Sequence, residues 1–198
     1  MELLENKLSE LIELYNVYGS SNYLGEKISQ LDHAVECALL AQKNKWRPAM
    51  IMSAFFHDIA QLPVSHLFTD DTGGYGSKTH AIRGANFLRK QGFSEDVCMP
   101  IELHVTAKRY LVTVDATYRE KLSEASTHTL LYQGGLMSED EIHEFQNHPY
   151  FRESIVLRTF DDQAKNGVSD SEKKVFFAWL SLISKEFNSG EFKSGESI

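Results

Sequence analysis

Apolar residues recur along most of this chain at the three- to four-residue spacing of an amphipathic α-helix. In the first predicted helix, residues 2–18, the apolar positions are Leu3, Leu4, Leu8, Leu11, Ile12 and Leu14. The same spacing predicts further helices over residues 31–44, 80–91, 96–111, 116–131, 138–147, 149–166 and 170–187. Strand-like alternation is nearly absent and residues 63–79 form the longest predicted loop, so the pattern predicts an all-α fold.

One segment departs from the amphipathic pattern. After Pro48, a residue that a first helical turn tolerates, the run AMIMSAFFHDIAQL is almost wholly apolar and predicts a helix buried on every side. His57 and Asp58 are polar residues within this run, and burying them without partners is costly. A metal ion satisfies both residues at once. The simpler alternative is a hydrogen-bonded core histidine beside an aspartate that caps a neighbouring element.

Further ligand-type residues strengthen the metal hypothesis. His33, His80 and His104 each stand in or at the edge of a predicted helix, a spacing that suits a bundle whose facing helices project ligands inward. A set of histidines and aspartates without cysteine favours a borderline transition metal such as iron, manganese, cobalt, nickel or zinc. Six protein ligands exceed what one open site would use, which indicates two metals bridged by Asp58. The remaining histidines are predicted to be surface or loop residues: His66, His128, His143 and His148.

The last carboxylate ligand has two candidates. Asp161 and Asp162 both follow the apolar sequence SIVLRTF. Asp161 is preferred because it stands four residues after Leu157, which places it near the apolar face of the helix. The residues alone leave this choice open.

Two cations near the predicted ligands indicate an anion site. Lys108 follows His104 by one helical turn, and a lysine beside a dication is repelled unless an anion lies between them. Arg158 precedes Asp161 by three residues, and its guanidinium suits phosphoryl-type oxygens. The alternative for Lys108 is a side chain that extends to solvent.

Composition narrows the class of protein. At 198 residues with 42% apolar content the chain fits one domain, and its net charge of −8 argues against a basic nucleic-acid-binding face, though not against a small anionic substrate. Cys37 and Cys98 are too few for a disulfide framework and are expected to be reduced core thiols in the cytoplasm. The N-terminal sequence lacks the features of a signal peptide, and no apolar run is long enough for a membrane span.

The order of these residues resembles a known superfamily. A histidine, a later His-Asp pair and a distant aspartate are similar to the signature of HD-domain proteins, helical bundles that are mostly metal-dependent phosphohydrolases. His80 and His104 resemble the dinuclear subset, and Lys108 resembles the mixed-valent diiron oxygenases. The chain is similar to the phosphonate-cleaving PhnZ/TmpB group through a series of ordered segments: NYLGEKISQLDHA, SAFFHDIA, GANFLRKQGF, HVTAKRYLV, LSEAS, QGGLM and LRTFDDQAK.

This resemblance implies one HD domain over residues 1–198, with a core of about 20–166 on which the N- and C-terminal helices pack. It implies an Fe(II)/Fe(III) pair with O2 as co-substrate. One iron would be held by His33, His57, Asp58 and Asp161, and the other by His80, His104 and the shared Asp58. Asp58, Lys108 and Tyr23 would be catalytic. The implied substrate-binding residues are Tyr23, Glu26, Gln61, Lys108, Ser126, Thr129, Gln133 and Arg158.

The resemblance also implies a reaction, the cleavage of the C–P bond in a small organophosphonate, a 1-hydroxy-2-aminoethylphosphonate. The trimethylated form, giving glycine betaine and phosphate, is favoured over the free amine, which gives glycine and phosphate, because Gln61 in HDIAQ replaces a histidine of the group. Tyr75 in the GGYG loop is a candidate second ring around a trimethylammonium. Such an enzyme would act after a hydroxylating oxygenase of the same pathway.

Two alternatives remain on the sequence alone. A dinuclear HD phosphohydrolase acting on a phosphate ester or nucleotide would use the same ligands to activate water. A sensor domain with a degenerate site would bind metal without turnover.

Overall fold

The computed structural model describes residues 2–23, 27–64, 67 and 79–189. These residues form ten α-helices, a single 3-10 turn at Ile59–Gln61 and no strand beyond an isolated bridge between Asn22 and Ser29. The predicted all-α fold is therefore confirmed. The helices are α1 Glu2–Tyr18, α2 Gln30–Lys43, α3 Pro48–Phe56, α4 Thr79–Lys90, α5 Glu95–Val114, α6 Ala116–Lys121, α7 Glu124–Tyr132, α8 Glu139–Gln146, α9 Phe151–Gln163 and α10 Asp170–Ser189.

Several of these helices are capped at their N-termini by a serine side chain. The Ser29 hydroxyl accepts the backbone N–H of Asp32 at 3.0 Å, and thereby satisfies one of the donors that a helix start leaves unpaired. Ser138 and Glu141 form a reciprocal capping box at the start of α8. Pro48 occupies the first turn of α3, where its missing N–H costs nothing.

Two predicted helices differ from the structure. The helix predicted over 116–131 is divided, because Leu122 is extended and the hydroxyl of Ser123 caps the new helix α7. The apolar run after Pro48 was predicted to continue as one helix through His57 and Asp58, but α3 ends at Phe56. Asp58 adopts φ −107° and ψ 17°, outside the α-helical range, and the chain then makes the 3-10 turn. His57 and Asp58 thus occupy a corner, which exposes their side chains to several helices at once.

Helix α5 lies at the centre of the bundle. It packs against α3, α4 and α9, while α2 packs against α3 and α9. Every residue from Ala49 to Phe56 of α3 is buried, as predicted for a helix without a polar face. Side chains from α2, α4, α5 and α9 meet around the corner after α3, in the interior of the bundle.

The first and last helices pack on each other at the outside of this bundle. An aromatic stack connects them to α3: the ring of Tyr15 lies 4.6 Å from that of Phe55, which lies 5.0 Å from that of Phe176. The hydroxyl of Tyr15 donates to the carbonyl of Phe55 at 3.0 Å. Burying these three rings contributes several kcal/mol, on the order of 2 each, to the attachment of the terminal helices.

Both cysteines, Cys37 and Cys98, are buried and unpaired, as expected for reduced core thiols. Among the described residues, no helix combines the length and the apolar character that a bilayer span requires.

Candidate metal centre

The corner after α3 carries the first two candidate ligands. His57 is fully buried and Asp58 is 5% exposed. The Nδ1 atom of His57 lies 2.9 Å from the carbonyl oxygen of Ala54, one turn earlier. This contact assigns the ring proton to Nδ1 and turns the Nε2 lone pair toward the interior, the tautomer that a metal ligand needs.

Four residues converge at this point, from α2, from α9 and from the corner itself. The Nε2 atom of His33 lies 3.2 Å from that of His57 and 3.4 Å from Oδ1 of Asp161, and Nε2 of His57 lies 3.5 Å from Oδ2 of Asp58. Nδ1 of His33 lies 2.9 Å from the carbonyl oxygen of Ala164, so its Nε2 also carries a lone pair. Two such lone pairs facing each other repel, and a cation between them removes the conflict. His33, His57, Asp58 and Asp161 form the first cluster.

A second cluster adjoins the first. Nε2 of His80, in α4, lies 3.2 Å from Nε2 of His104, in α5. Both atoms approach Oδ1 of Asp58, at 3.4 Å and 3.8 Å. Nδ1 of His104 lies 2.6 Å from the carbonyl oxygen of Ile101, which again leaves Nε2 as the inward-facing acceptor. Asp58, His80 and His104 form the second cluster.

Asp58 belongs to both clusters, one through each carboxylate oxygen. Its Oδ2 faces His57 and its Oδ1 faces the pair of His80 and His104. Oδ1 is buried and accepts no hydrogen bond from the described residues. An orphaned buried carboxylate oxygen is costly, and it fits a bridging ligand that holds two cations.

Charge in the centre is unevenly distributed. Burial opposes ionisation of Asp58, but His57 and His80 hold the pKa of its carboxyl below the usual value. Burial and the neighbouring His80 lower the pKa of His104 to about 3, so that ring is neutral. Burial likewise disfavours a charged His57, yet Asp58 and Asp161 raise its pKa to about 9. The carboxylates of Asp58 and Asp161 therefore favour positive charge beside His33 and His57, and a metal cation would supply it.

Tyr23 closes one side of the first cluster. Its hydroxyl lies 3.0 Å from Oδ2 of Asp58 and 3.3 Å from Oδ1 of Asp161. Its ring stacks on that of His33, with centroids 3.9 Å apart and planes inclined by 17°. Burial and the two carboxylates raise the pKa of the phenol well above its usual value, so Tyr23 is a hydrogen-bond donor at neutral pH.

Cys37 also touches this cluster, a contact that the sequence analysis missed. Its Sγ lies 3.7 Å from Nε2 of His33, one turn earlier on α2. Cys37, His33 and His57 form a third group of potential ligand atoms. Burial raises the pKa of the thiol to about 11, so it is protonated and a poor ligand. The i, i+4 spacing of His33 and Cys37 was the available signal.

A cleft of about 690 Å³ opens beside the two clusters. Lys108, one turn after His104, is 3% exposed and donates from Nζ to Oγ1 of Thr129 at 3.0 Å. Burial, aided by the nearby Arg158, lowers the pKa of Lys108 to about 8. The predicted substrate-binding residues that line the cleft are Tyr23, Gln61, Lys108, Ser126, Thr129, Gln133 and Arg158.

The turn after α7 places Gln133 in this cleft. Gly134 and Gly135 adopt φ values of 104° and 65°, which glycine alone tolerates easily. Arg109 holds the turn, since its Nε and Nη2 atoms donate to the carbonyl oxygens of Gly135 and Gly134 at 3.1 Å and 3.3 Å. Gln133 is 3% exposed, and within the described parts of the chain its Oε1 accepts no hydrogen bond. Its amide thus has polar capacity available for a ligand.

Arg158 connects the cleft to the metal ligands. Its Nη1 donates to Oδ2 of Asp161 at 2.6 Å, while Nε and Nη2 both donate to the carboxylate of Asp162. Asp162 therefore pairs with Arg158 and the hydroxyl of Tyr118, and Asp161 faces the histidines. Successive helical residues point about 100° apart, so only one of the two carboxylates, that of Asp161, lies within the first cluster.

Other predicted positions are placed as follows. His128 and His143 are exposed and His148 is half-buried. His66, Glu26 and Tyr75 lie outside the described residues. The cleft is also lined by residues that the sequence did not single out, namely Val105, Ser123, Ala125 and Lys165, and by Asp162, which was considered there only as a metal ligand. Tyr118 was missed as well, because its contact with Arg158 joins residues 40 positions apart and leaves no periodic signal.

Comparisons with known proteins agree with this geometry. The family model described as HD domain matches residues 31–133. A hydroxymethylphosphonate dioxygenase of Gimesia maris is 36% identical over 165 residues, which cover 80% of this chain and 78% of that protein. A (1-hydroxy-2-(trimethylamino)ethyl)phosphonate dioxygenase (glycine-betaine-forming) of Leisingera caerulea is 31% identical over 177 residues, which cover 87% and 86%.

A third relative, an uncharacterized protein of Acanthamoeba polyphaga mimivirus, is 40% identical over 165 residues, which cover 83% of this chain and 75% of that protein. Each of these three matches covers 80% or more of this chain. The chain accordingly belongs to the HD-domain family and, within it, to the PhnZ-like group of oxygenases that contains these phosphonate dioxygenases.

Proposed function

We propose that this protein uses O2 to cleave the C–P bond of a 1-hydroxyalkylphosphonate at a dinuclear metal centre. The observation that carries the proposal is the position of Asp58, whose two oxygens face separate histidine sets beside a cleft that contains buried cations. The two relatives named as phosphonate dioxygenases support the oxygenase chemistry.

His33, His57, Asp58 and Asp161 would hold one metal, and His80, His104 and the shared Asp58 the other. An Fe(II)/Fe(III) pair suits this donor set of imidazoles and carboxylates. When bound, it would supply the activation of O2 and the oxidation of the substrate carbon. The reaction balances with one O2: a hydroxylated carbon bonded to phosphorus becomes a carboxylate, phosphate leaves, and one proton is released.

The protein's own residues orient the substrate and compensate its charge. Lys108 donates only to Thr129 among the described residues, so two of its three N–H donors can meet phosphonate oxygens. Thr129 accepts from Lys108 and donates to the carbonyl of Ser126 at 3.1 Å, which orders the lysine before a ligand arrives. A fixed cation at the phosphonate favours the dianionic leaving group as negative charge accumulates on it.

Tyr23 would act at the opposite side of the cleft. Its protonated phenol donates to Asp58 and Asp161 and lies where a substrate oxygen must pass to reach the first cluster. Displacing the phenol would free one carboxylate oxygen and leave the tyrosine as a donor to the substrate. Asp58 would continue to hold both metals while the substrate is bound.

For the substituent on the second carbon, the trimethylammonium form, (R)-1-hydroxy-2-(trimethylamino)ethylphosphonate, stays our first candidate, with the free amine as the alternative. The relative named for the trimethylated substrate supports it. A second candidate is hydroxymethylphosphonate, which the relative from Gimesia maris is named for. One observation supports this second candidate: Tyr23 is the only tyrosine, phenylalanine or tryptophan among the described cleft residues, and one face of its ring is covered by His33, so these residues provide no aromatic cage for a trimethylammonium.

The test compares kcat/KM for these three phosphonates with the metal-loaded protein in air and under anaerobic conditions. Phosphate release that requires O2, with one O2 consumed per phosphate, supports the proposal. A dinuclear HD phosphohydrolase would instead release phosphate from phosphate esters or nucleotides without O2, and that result would refute it. Metal binding without turnover of any of these compounds would point to a sensor domain.

Two further expectations accompany the proposal. A C1-hydroxylated phosphonate must be produced by an enzyme that inserts oxygen at the carbon next to phosphorus, so a hydroxylating oxygenase is expected upstream. A cytoplasmic location is expected because both buried cysteines are free thiols.

A further inference from the structure

The guanidinium of Arg158 lies between two carboxylates. Its Nη1 donates to Oδ2 of Asp161, and the carboxylate of Asp162 accepts from Nε at 3.1 Å and from Nη2 at closer range. The side chain of Arg158 is 6% exposed, whereas that of Asp162 is 24% exposed and lines the cleft. The group of three therefore has a formal charge of −1 before any substrate anion enters.

Few donors of Arg158 are available to such an anion. A guanidinium has five N–H groups. Besides its bonds to the two carboxylates, Arg158 donates from Nε to the hydroxyl of Tyr118 at 3.0 Å and from Nη2 to the hydroxyl of Ser126 at 3.3 Å. Within the described residues this leaves one N–H on Nη1. A phosphonate can use the arginine fork only if it replaces Asp162 or Ser126.

Tyr118 provides Asp162 with a second partner. Its hydroxyl donates to Oδ2 of Asp162 at 2.5 Å and accepts from Nε of Arg158. If Asp162 releases Nη2, the hydroxyl of Tyr118 still satisfies one of its oxygens. The exchange of Asp162 for an external anion thus leaves no buried carboxylate without a hydrogen bond.

We propose that Asp162 is an internal competitor of the phosphonate for Arg158, and that Tyr118 stabilises Asp162 when the anion displaces it. The inference rests on the proposed function for the kind of anion, a tetrahedral oxyanion of phosphorus. Asp162 and Tyr118 are positioning residues that act through Arg158. Competition of this kind weakens the binding of inorganic phosphate, the product, as well as that of the substrate, and thereby speeds product release.

Lys108 differs from Arg158 in this respect. No carboxylate contacts its Nζ among the described residues, and its described hydrogen bond goes to Thr129. The anion can consequently bind Lys108 directly, whereas it must displace Asp162 to bind the guanidinium of Arg158. Binding begins at Lys108 and is completed at Arg158 by exchange with Asp162.

The test measures the Kd of inorganic phosphate by calorimetry on the protein purified with its metals, without turnover. Asp162→Asn removes the competing charge and keeps the shape, so phosphate should bind about tenfold more tightly, and kcat should fall if release limits it. Tyr118→Phe keeps the charge of Asp162 but removes its alternative partner, so phosphate should bind about threefold more weakly. If the two substitutions acted only by disturbing the position of the Arg158 side chain, phosphate would bind more weakly in both variants.

Glu124→Gln is the matched control, because it removes an exposed negative charge from α7 near the cleft without contacting Arg158. It should change the Kd by less than about twofold. Asp162→Ser removes the same charge with a smaller side chain and should also tighten binding.

Phosphate binding that is unchanged or weaker in both Asp162 variants overturns the inference, and so does Tyr118→Phe with unchanged affinity. The binding readout separates this inference from the proposed reaction. Opposite changes of Kd in Asp162→Asn and Tyr118→Phe with no phosphonate turnover would retain the competition and reject the reaction.

Discussion

The hydroxyl of Tyr23 donates a 3.0 Å hydrogen bond to Oδ2 of Asp58, the carboxylate that belongs to both ligand clusters. The two residues are 35 positions apart and come from different parts of the bundle. Since the same hydroxyl lies 3.3 Å from Asp161, it also reduces the repulsion between the two carboxylates. Tyr23 thus contributes to the stability of the centre as well as to the proposed reaction.

Tyr23→Phe should destabilise the metal-free protein. A hydrogen bond to a charged group contributes roughly 1.5–3 kcal/mol, which in a domain of this size corresponds to a decrease in Tm of about 3–12 °C. Thermal unfolding in the presence of a chelator measures the effect. Tyr110→Phe is the control, because its hydroxyl accepts only an exposed bond from Gln146 at 2.9 Å. An equal Tm for Tyr23→Phe and wild type would contradict the expected contribution.

Ligand variants should lose metal in a pattern that follows the two clusters. His104→Ala removes a donor from the second cluster alone, so about one of two metals should remain. His57→Ala should likewise remove the metal of the first cluster, and Asp58→Ala should remove both. Metal analysis of the purified variants, together with circular dichroism to verify folding, makes the measurement.

His143→Ala serves as the control for this series, since His143 is exposed and belongs to neither cluster. It should retain the wild-type metal content. Two metals per chain in His104→Ala would show that the second cluster is assigned wrongly.

Lys108 should produce the basic limb of the pH profile. Burial and Arg158 lower its pKa to about 8, so the free enzyme loses this ammonium as the pH rises through 8. Above that pH, kcat/KM for a dianionic phosphonate should fall by about tenfold per pH unit. Lys108→Arg keeps its charge to much higher pH, so its residual activity should lack this limb. A basic limb at pH 8 that persists in Lys108→Arg would assign it to another group.

The lowered pKa of Lys108 also makes the stability of the fold depend on pH. Between pH 8 and 10.5 the unfolded chain binds one more proton at Lys108 than the folded chain does, so stability rises with pH in this window. Lys108→Met removes the buried charge. The variant should therefore be more stable than wild type below pH 8, by about 1–3 kcal/mol in denaturant unfolding, and the gain should disappear above pH 10.5.

Gly84 is expected to control the position of His80, which lies one turn earlier on α4. A Cβ atom at Gly84 would lie 3.3 Å from Cγ2 of Ile59 and 3.7 Å from Cβ of Ala60, in the 3-10 turn after Asp58. Gly84→Leu should push α4 away from this turn and reduce metal at the second cluster to well below one equivalent, while the first cluster retains its metal.

Gly84→Ala is the matched control. Its single methyl group needs a shift of only a few tenths of an ångström, and alanine favours a helix over glycine by about 1 kcal/mol. Metal content should stay at the wild-type value. Full metal occupancy in Gly84→Leu would show that α4 is not held by this close approach.

The sequence by itself determined the helical architecture and the identities of the ligand-type residues. Apolar spacing is a local property, and it predicted the α-helices of the described chain to within a few residues, apart from the division at Leu122 and Ser123 and the end of α3 at Phe56. The preference for Asp161 over Asp162 also came from local geometry, the relation to Leu157. Residues that are polar within an apolar run, such as His57, are conspicuous in one dimension because burial without a partner is costly.

Only the tertiary structure decided how these residues act together. The end of α3 at Phe56 is not visible in the apolar run, which continues to Leu62; in the structure α4 packs against the 3-10 turn that follows. The different partners of the two Asp58 oxygens depend on histidines that come from α4, from α5 and from the corner itself.

The pairing of Arg158 with Asp162 and Tyr118 was likewise invisible in the sequence, because Tyr118 approaches from a helix 40 residues away. Spacing along the chain reports which side chains share a helix face, whereas contacts between faces depend on how the helices pack. The histidines and aspartates were therefore predictable as a set. The pairing of Arg158 with Asp162 and Tyr118 depends on the contact between α6 and α9, which only the tertiary structure defines.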